Sequence, residues 1–413
     1  MARSIEHLAA FAVILFFIPW RVSIANVDLY LADLLGIASI GLLAITTLRG
    51  RLLRSTITAS TFIIVFVLYI FLSGLYNNVP AKLILIEMVQ WLSIAAFLGV
   101  LHQENLLASP RFLSLVALYA FGGACYTAAW HLSHPEFNDF KHLENTKYFF
   151  GFCFAMLYVM RHQIRFSHLF LFIALVLLLM SGERKAMFGV AAILLADYLF
   201  CRPIPAQQQD NLQAMLMFFL AGVALAAFSS WYIWGIQPFL DAIEFNRYDV
   251  LFADQNEAQW NSELWRKLLL ANGFELFLSH PWIGVGPKML PDYLAPFFLN
   301  PNLAIYTHNF VLDVAIEYGT VGLVILIGGF LRGARRLYRQ RAQNPVAFLL
   351  AVYILAMVLF VAVNSTIMLM FLLPFFVNTR VETLSPVPPK AAFIKTTVTV
   401  HRPHIKPRRS HDS

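Results

Sequence analysis

Apolar runs about as long as a bilayer is thick recur from one end of this 413-residue chain to the other. They fall at about 8-20, 28-48, 58-75, 82-101, 111-130, 147-160, 167-181, 186-201, 212-231, 309-331, 346-363 and 364-377. A helix needs about 20 apolar residues to cross the hydrocarbon core, so an all-α polytopic membrane protein with about 12 transmembrane helices, several of them short, is predicted. Composition points the same way: 59% of the residues are apolar and only 13% charged, a balance that a water-soluble globule of this size does not keep. The last two runs share Asn364 and Ser365 as a tight turn. The first, LAAFAVILFFIPW, reads as a short span rather than a cleaved leader, because Pro19, Trp20 and Arg21 interrupt the approach to SIA at 23 to 25. Cys125, Cys153 and Cys201 have no paired spacing and make neither a disulfide framework nor a metal knuckle.

The net charge of +7 could suggest a nucleic-acid partner. In a membrane chain, however, Lys and Arg mark the cytoplasmic side, and their distribution matters more than their sum. With both termini inside, the cytoplasmic segments hold Arg3, Arg49, Arg51, Arg54, Arg111, Arg161, Arg165, Arg202, the cluster Arg332 to Arg341, and seven more after residue 378, together 20 of the 30 basic residues. The reverse orientation violates the positive-inside rule. The organisation is therefore nine spans over 1-231, one large outside loop at 232-307, three spans over 308-377, and a basic, Pro-rich tail at 378-413 whose composition is that of a disordered cytoplasmic segment. Within the loop, AQWNSELWRKLLLANGFELFL (258-278) spaces Leu264, Leu268 and Phe274 as an interfacial amphipathic helix would. HPWIGVGPKMLPDYLAP follows as Gly- and Pro-punctuated turns.

Candidate chemistry gathers where this loop re-enters the membrane. His308 stands at the mouth of an apolar helix, with Thr307 or Asn309 as its N-cap, so unpaired N–H groups and a positive dipole end face the outer interface. Such a terminus suits phosphate oxygens, and a histidine there is poised to accept a proton near neutral pH. Asp313 and Glu317 follow on the same helix, four residues apart, where they could orient His308, pair with an arginine or serve packing alone. Glu183, Arg184 and Lys185 lie at the outer end of a hairpin between two spans, against the positive-inside tendency. Glu87 and Gln90, just inside the span that begins at Lys82, are further members of a polar cavity. His131, His134 and His142 allow a metal reading in a polar outside segment, but the spacing is weak evidence and no metal or other cofactor is expected.

His308, Asn309, Gly319 and Gly322 reproduce the His-Asn, nine residues, Gly-x-x-Gly spacing of the O-antigen ligase family, and together with the large outside loop the chain resembles that family over about residues 1 to 378. The resemblance implies a GT-C-like fold in the Gram-negative inner membrane. It implies transfer of O-antigen polysaccharide from undecaprenyl diphosphate to lipid A-core on the periplasmic side, by a metal-independent inverting step among membrane lipids and without nucleic acid. Arg184 resembles the arginine of the family's Ser-Arg-Gly-Ala type motif, which engages the lipid diphosphate; Glu183 and Lys185 replace its Ser and Gly. A second arginine is expected in the loop, a few residues before a Trp that precedes a Pro-x-x-Gly-x-Gly turn. Here the turn is Pro281, Gly284, Gly286 and the Trp is Trp265, while Asn261 and Ser262 occupy the usual place. Arg266 is the first substitute and Arg247 the second.

In this reading His308 is the base, the arginines hold the diphosphate, and Asn309, Asp313, Glu317, Glu183, Lys185, Gly319 and Gly322 support them. A guanidinium suits the task because its planar fork makes bidentate bonds to phosphate and stays charged at any relevant pH. O-antigen polymerases and protein O-oligosaccharyltransferases use the same donor and remain alternatives. The spacing favours the ligase, and no large C-terminal domain of the protein-modifying type is present in the sequence. A polysaccharide flippase or transporter is the alternative from another class; repeated halves and symmetric broken helices would mark it, and the sequence shows neither.

Overall fold

The computed structural model describes residues 2–17, 21–24, 27–48, 54–133, 146–181, 184–201, 262–298, 306–358 and 365–378. In chain order these form α1 (Ala2–Leu15), β1 (Arg21–Ile24), β2 (Val27–Tyr30), α2 (Leu31–Leu48), α3 (Arg54–Tyr76), α4 (Ala81–Gln103), α5 (Pro110–Ser133), α6 (Thr146–Val159), α7 (Ser167–Met180), α8 (Arg184–Phe200), α9 (Ser262–Ser279), α10 (Leu290–Leu294), α11 (Phe310–Arg339), α12 (Pro345–Val358) and α13 (Ser365–Phe376). Eleven of the twelve predicted runs coincide with helices. The ninth, at 212-231, lies outside the described residues, as do Arg247, His134, His142, Asn364 and the tail from 379. Among the described residues three helices, α4, α5 and α11, are long and apolar enough to cross a membrane.

The sequence is mostly helix-forming but departs from it once. β1 and β2 pair antiparallel, with Arg21 opposite Tyr30 and Ile24 opposite Val27. Branched and apolar residues at alternate places, Val22 and Ile24, then Val27 and Leu29, favour a pleated pair over a helical turn. The second apolar run therefore becomes helical only at Leu31. Two helix starts carry side-chain caps before a Pro. Pro110 opens α5 with the Phe112 N–H donating to the Ser109 hydroxyl at 3.3 Å. Pro345 opens α12 with the Ala347 N–H donating to Asn344 Oδ1, also at 3.3 Å.

One continuous apolar core runs through the helices, dominated by buried Phe and Leu such as Phe66, Phe112, Phe150, Phe330 and Phe371. The exposed apolar side chains, among them Leu68, Leu72, Phe172, Phe188 and Val324, belong to the outer faces of the same helices, which is the pattern of a bundle solvated by lipid. A second, smaller cluster joins Trp265, Leu268, Leu269 and Leu276 of α9 to Val285, Leu290, Leu294 and Phe298, and takes in Ile316 of α11. It roots the loop segment on α11. The packed face of α9 thus includes Leu268 as the spacing suggested, with Trp265 beside it, whereas Phe274, expected on the same face, is exposed. At 100° per residue Phe274 lies well round the helix from Leu269 and Leu276, which are the residues that meet the loop.

Helix ends segregate. The Arg161 guanidinium, at the end of α6, meets Asp197 near the end of α8 at 2.8 Å. The Tyr158 hydroxyl donates to the same carboxylate at 2.6 Å. Nearby chain ends close the same side of the bundle, with Arg341 Nε donating to the Phe200 carbonyl and Asn344 to that of Val377. The end of α3, the start of α4 and the start of α11 meet at the other side, and the candidate residues lie there.

Candidate functional site

Asn309 is the N-cap of α11. Its backbone is extended, and its side-chain oxygen accepts the Leu312 N–H at 3.1 Å, which satisfies one of the donors a helix start leaves open. His308, one residue before, has φ of +59°, a left-handed conformation uncommon for a residue with a Cβ. The cause is visible next door. Asp313 Oδ1 accepts both the Thr307 N–H at 2.9 Å and the Thr307 hydroxyl at 2.7 Å. This carboxylate, 1% exposed, pulls the preceding chain back over the first turn and fixes the direction in which it enters. His308 is left partly buried at the N-terminal mouth of the helix. Asp313 thus holds Thr307, the residue directly before His308.

Six residues further on the helix breaks. Gly319 has φ of +64° and ψ of −171°, so the ladder bonds from residues 320, 321 and 322 to residues 316, 317 and 318 cannot form. Five of these six groups take other partners. The Ile316 and Glu317 carbonyls accept the N–H groups of Val285 and Gly286, each at 2.9 Å, while the Thr320 and Val321 N–H groups donate to the Pro281 and Trp282 carbonyls at 2.8 and 3.2 Å. The Tyr69 hydroxyl of α3 donates to the Tyr318 carbonyl at 2.9 Å. The Pro281 to Gly286 segment therefore splints the break strand-fashion, and a tyrosine completes it. Gly284 and Gly286, with φ of +79° and +101°, are needed for this approach, since a Cβ on Gly284 would strike the Glu317 backbone and one on Gly319 the Trp282 carbonyl. The Gly286 N–H is spent on Glu317, so the Gly-x-Gly turn grips a helix with an amide that a phosphate cradle would need.

Beside the splint lies a charged cluster that the sequence only half disclosed. Glu87 of α4, 1% exposed, accepts the Trp91 indole N–H at 2.9 Å and the Tyr318 hydroxyl at 3.0 Å through Oε1. Its Oε2 meets the Lys288 ammonium at 2.8 Å. Burial alone would lower the Lys288 pKa, but Glu87, then Tyr306 and Glu317, favour the charged form and the net shift is upward. Burial raises the Tyr306 pKa as well, against a smaller opposing pull from Lys288. Tyr306 is two residues from His308, so the cluster and the mouth of α11 form one neighbourhood.

The structure brings Glu87 and Glu317 to the Lys288 cluster and Asn309 and Asp313 to the helix start beside His308, while Gly319 and Gly322 lie at the break farther along α11. Gln90 is partly buried one turn along α4. Arg184 is the first residue of α8 and Lys185 its second, partly buried, while Glu183 falls outside the described residues. Arg266 is exposed on α9, and Arg247 and Asn261 lie outside the described residues. His131 lies in the last turn of α5, two residues before the described chain stops at Ser133. No group of metal-ligating side chains is found among the described residues. Lys288, Tyr306 and Tyr69 escaped the sequence reading. Only Lys288 offered a signal, a basic residue directly after Gly284-Val-Gly286-Pro287.

A family model described as O-antigen ligase matches residues 169–327. That stretch runs from α7 through the loop to the middle of α11 and contains Arg184, Lys288, His308 and the Gly319 break. No curated protein matches the chain.

Proposed function

We propose, from an O-antigen ligase domain at residues 169–327, that this protein transfers O-antigen polysaccharide from undecaprenyl diphosphate to lipid A-core at the outer face of the inner membrane. The observation that carries the reading is the mouth of α11, where Asp313 clamps Thr307 so that His308 is held in a left-handed turn beside an open helix N-terminus. An imidazole there can take the proton of an acceptor hydroxyl. The freed oxygen attacks the anomeric carbon, the bond from that carbon to the diphosphate breaks, and the electron pair leaves with the diphosphate, inverting the centre in one displacement. Arg184, with Arg266 or Arg247, gathers the charge that develops on the leaving group. The donor carries its own activated leaving group, so the step calls for no metal or other cofactor.

The finer frame belongs to the same proposal: about twelve spans in a GT-C-like arrangement, the 232-307 loop in the periplasm, and both termini in the cytosol. The segregation of helix ends supports it, because Arg161 and Arg341 sit opposite the end that carries His308. His308→Ala in a strain that makes lipid-linked O-antigen is expected to leave bare lipid A-core and accumulating lipid-linked polymer on lipopolysaccharide gels. A general base contributes about 10²- to 10⁴-fold, and ordinary ligation by the variant would remove the proposed base. Core bearing one repeat unit in a deletion strain would instead identify a polymerase. Arg184→Lys keeps the charge but loses the fork, and is expected to be far slower than wild type in the same assay.

A further inference from the structure

Lys288 is held in an unusual way for a loop lysine. Its backbone has φ of +61°, the third left-handed residue within five, after Gly284 and Gly286, and strained backbone of this kind gathers at functional sites. Its ammonium meets Glu87 at 2.8 Å, yet 22% of its side chain remains exposed. An ammonium has three donors, and the ion pair with the single Glu87 oxygen engages at most one of them. Tyr306 and Glu317 lie close enough to bear on its charge, which places it beside the chain that leads into His308.

A latch that pins the loop to the bundle would be the plain role for such a pair. The loop, however, is already pinned. Four backbone hydrogen bonds join residues 281 to 286 with α11. The Thr320 hydroxyl donates to the Pro281 carbonyl at 2.7 Å, and that of Ser73 to the Ile283 carbonyl at 3.3 Å. A desolvated ion pair adds little to a contact of this kind, since apolar groups of equal size often hold as well. What the pair does supply is a cation with a fixed direction. Glu87 cannot swing away, because the Trp91 indole and the Tyr318 hydroxyl hold its other oxygen.

We propose that Lys288 is a further phosphate-binding residue of the donor site, its ammonium aimed by Glu87 toward the mouth of α11 and shared with the diphosphate of the lipid-linked glycan. This rests on the function proposed above. Glu87 is then a positioning residue, and it lies outside the segment matched by the family model. Lys288 supplies a point charge that complements the forked contact of an arginine.

The test is equilibrium binding of undecaprenyl diphosphate to the full-length protein in detergent, read beside protease protection of the 262–298 segment. Lys288→Met is expected to weaken binding about 10- to 100-fold, the effect of losing one hydrogen bond to a charged group, with the segment still protected. Lys288→Arg is expected to bind within a few-fold of wild type. Should a buried Glu87 without its partner unfold the first variant, Glu87→Gln with Lys288→Met removes both charges and gives the same reading. Wild-type binding by the Met variants, or weakening that appears only together with loss of protection, overturns the proposal. Should the wild-type protein itself fail to bind the lipid while His308→Ala fails equally, the donor assignment falls and Lys288 with it.

Discussion

Gly319 carries more constraint than its size suggests. Its positive φ excludes residues with a Cβ at a cost of about 1–2 kcal/mol, and the added carbon would also meet the Trp282 backbone. Gly319→Ala is expected to lower the unfolding midpoint of the purified protein and to expose the loop segment to protease. Gly328→Ala, where an added Cβ meets nothing within 4 Å, is expected to be neutral or slightly stabilising, since alanine suits a helix interior better by about 1 kcal/mol. Asp313→Ala strands a buried N–H and a hydroxyl of Thr307 and should cost about 2–3 kcal/mol. Asp313→Asn, which keeps the acceptor, should cost less, and transfer rates of the two variants should fall in that order. The spacing of His308, Asn309, Gly319 and Gly322 was legible because it is written along one helix. The partners of Lys288 and Glu87 were not, because 201 positions of chain separate the two.

At the scale of elements, α11 is two helices joined by a borrowed turn. Tyr69→Phe removes the hydroxyl that donates to the buried Tyr318 carbonyl, a loss of about 1–3 kcal/mol. Hydrogen exchange at the amides flanking the Gly319 break should quicken in that variant while the far end of α11 is unchanged. On α9, Trp265→Ala should cost about 3–5 kcal/mol because the ring is buried against Phe298 at a centroid distance of 4.6 Å. Thermal unfolding of Phe274→Ala, whose ring is exposed, should stay near wild type by comparison. Apolar length announced the helices well, since each buries apolar surface whatever its neighbours are. It could not announce the break at Gly319, where continuous hydropathy hides a turn satisfied from another part of the chain. Nor did it separate β2 from α2, because a short branched strand and the start of a span are equally apolar.

At the scale of the whole molecule, two ends differ in what they gather. Arginines and helix-closing carbonyl contacts mark one, and carboxylates, tyrosines and the loop mark the other. A periplasm-active phosphatase fused after residue 270 should therefore be active and one fused after Arg341 silent; the opposite pattern would turn the protein over and remove the site from the donor. The expected orientation rests on a sum of charges over short loops, which sequence alone can supply. Assembly of the site was not, since it needs α3, α4 and α11 to meet. The splint at Gly319 also sets an order of manufacture. Tyr69, Glu87 and residues 281 to 286 all leave the ribosome before Gly319 does, so each group that completes the broken turn is already made when α11 emerges. The corner around His308 is closed by its last arrival, and a chain truncated before residue 307 would hold a waiting socket with nothing to receive.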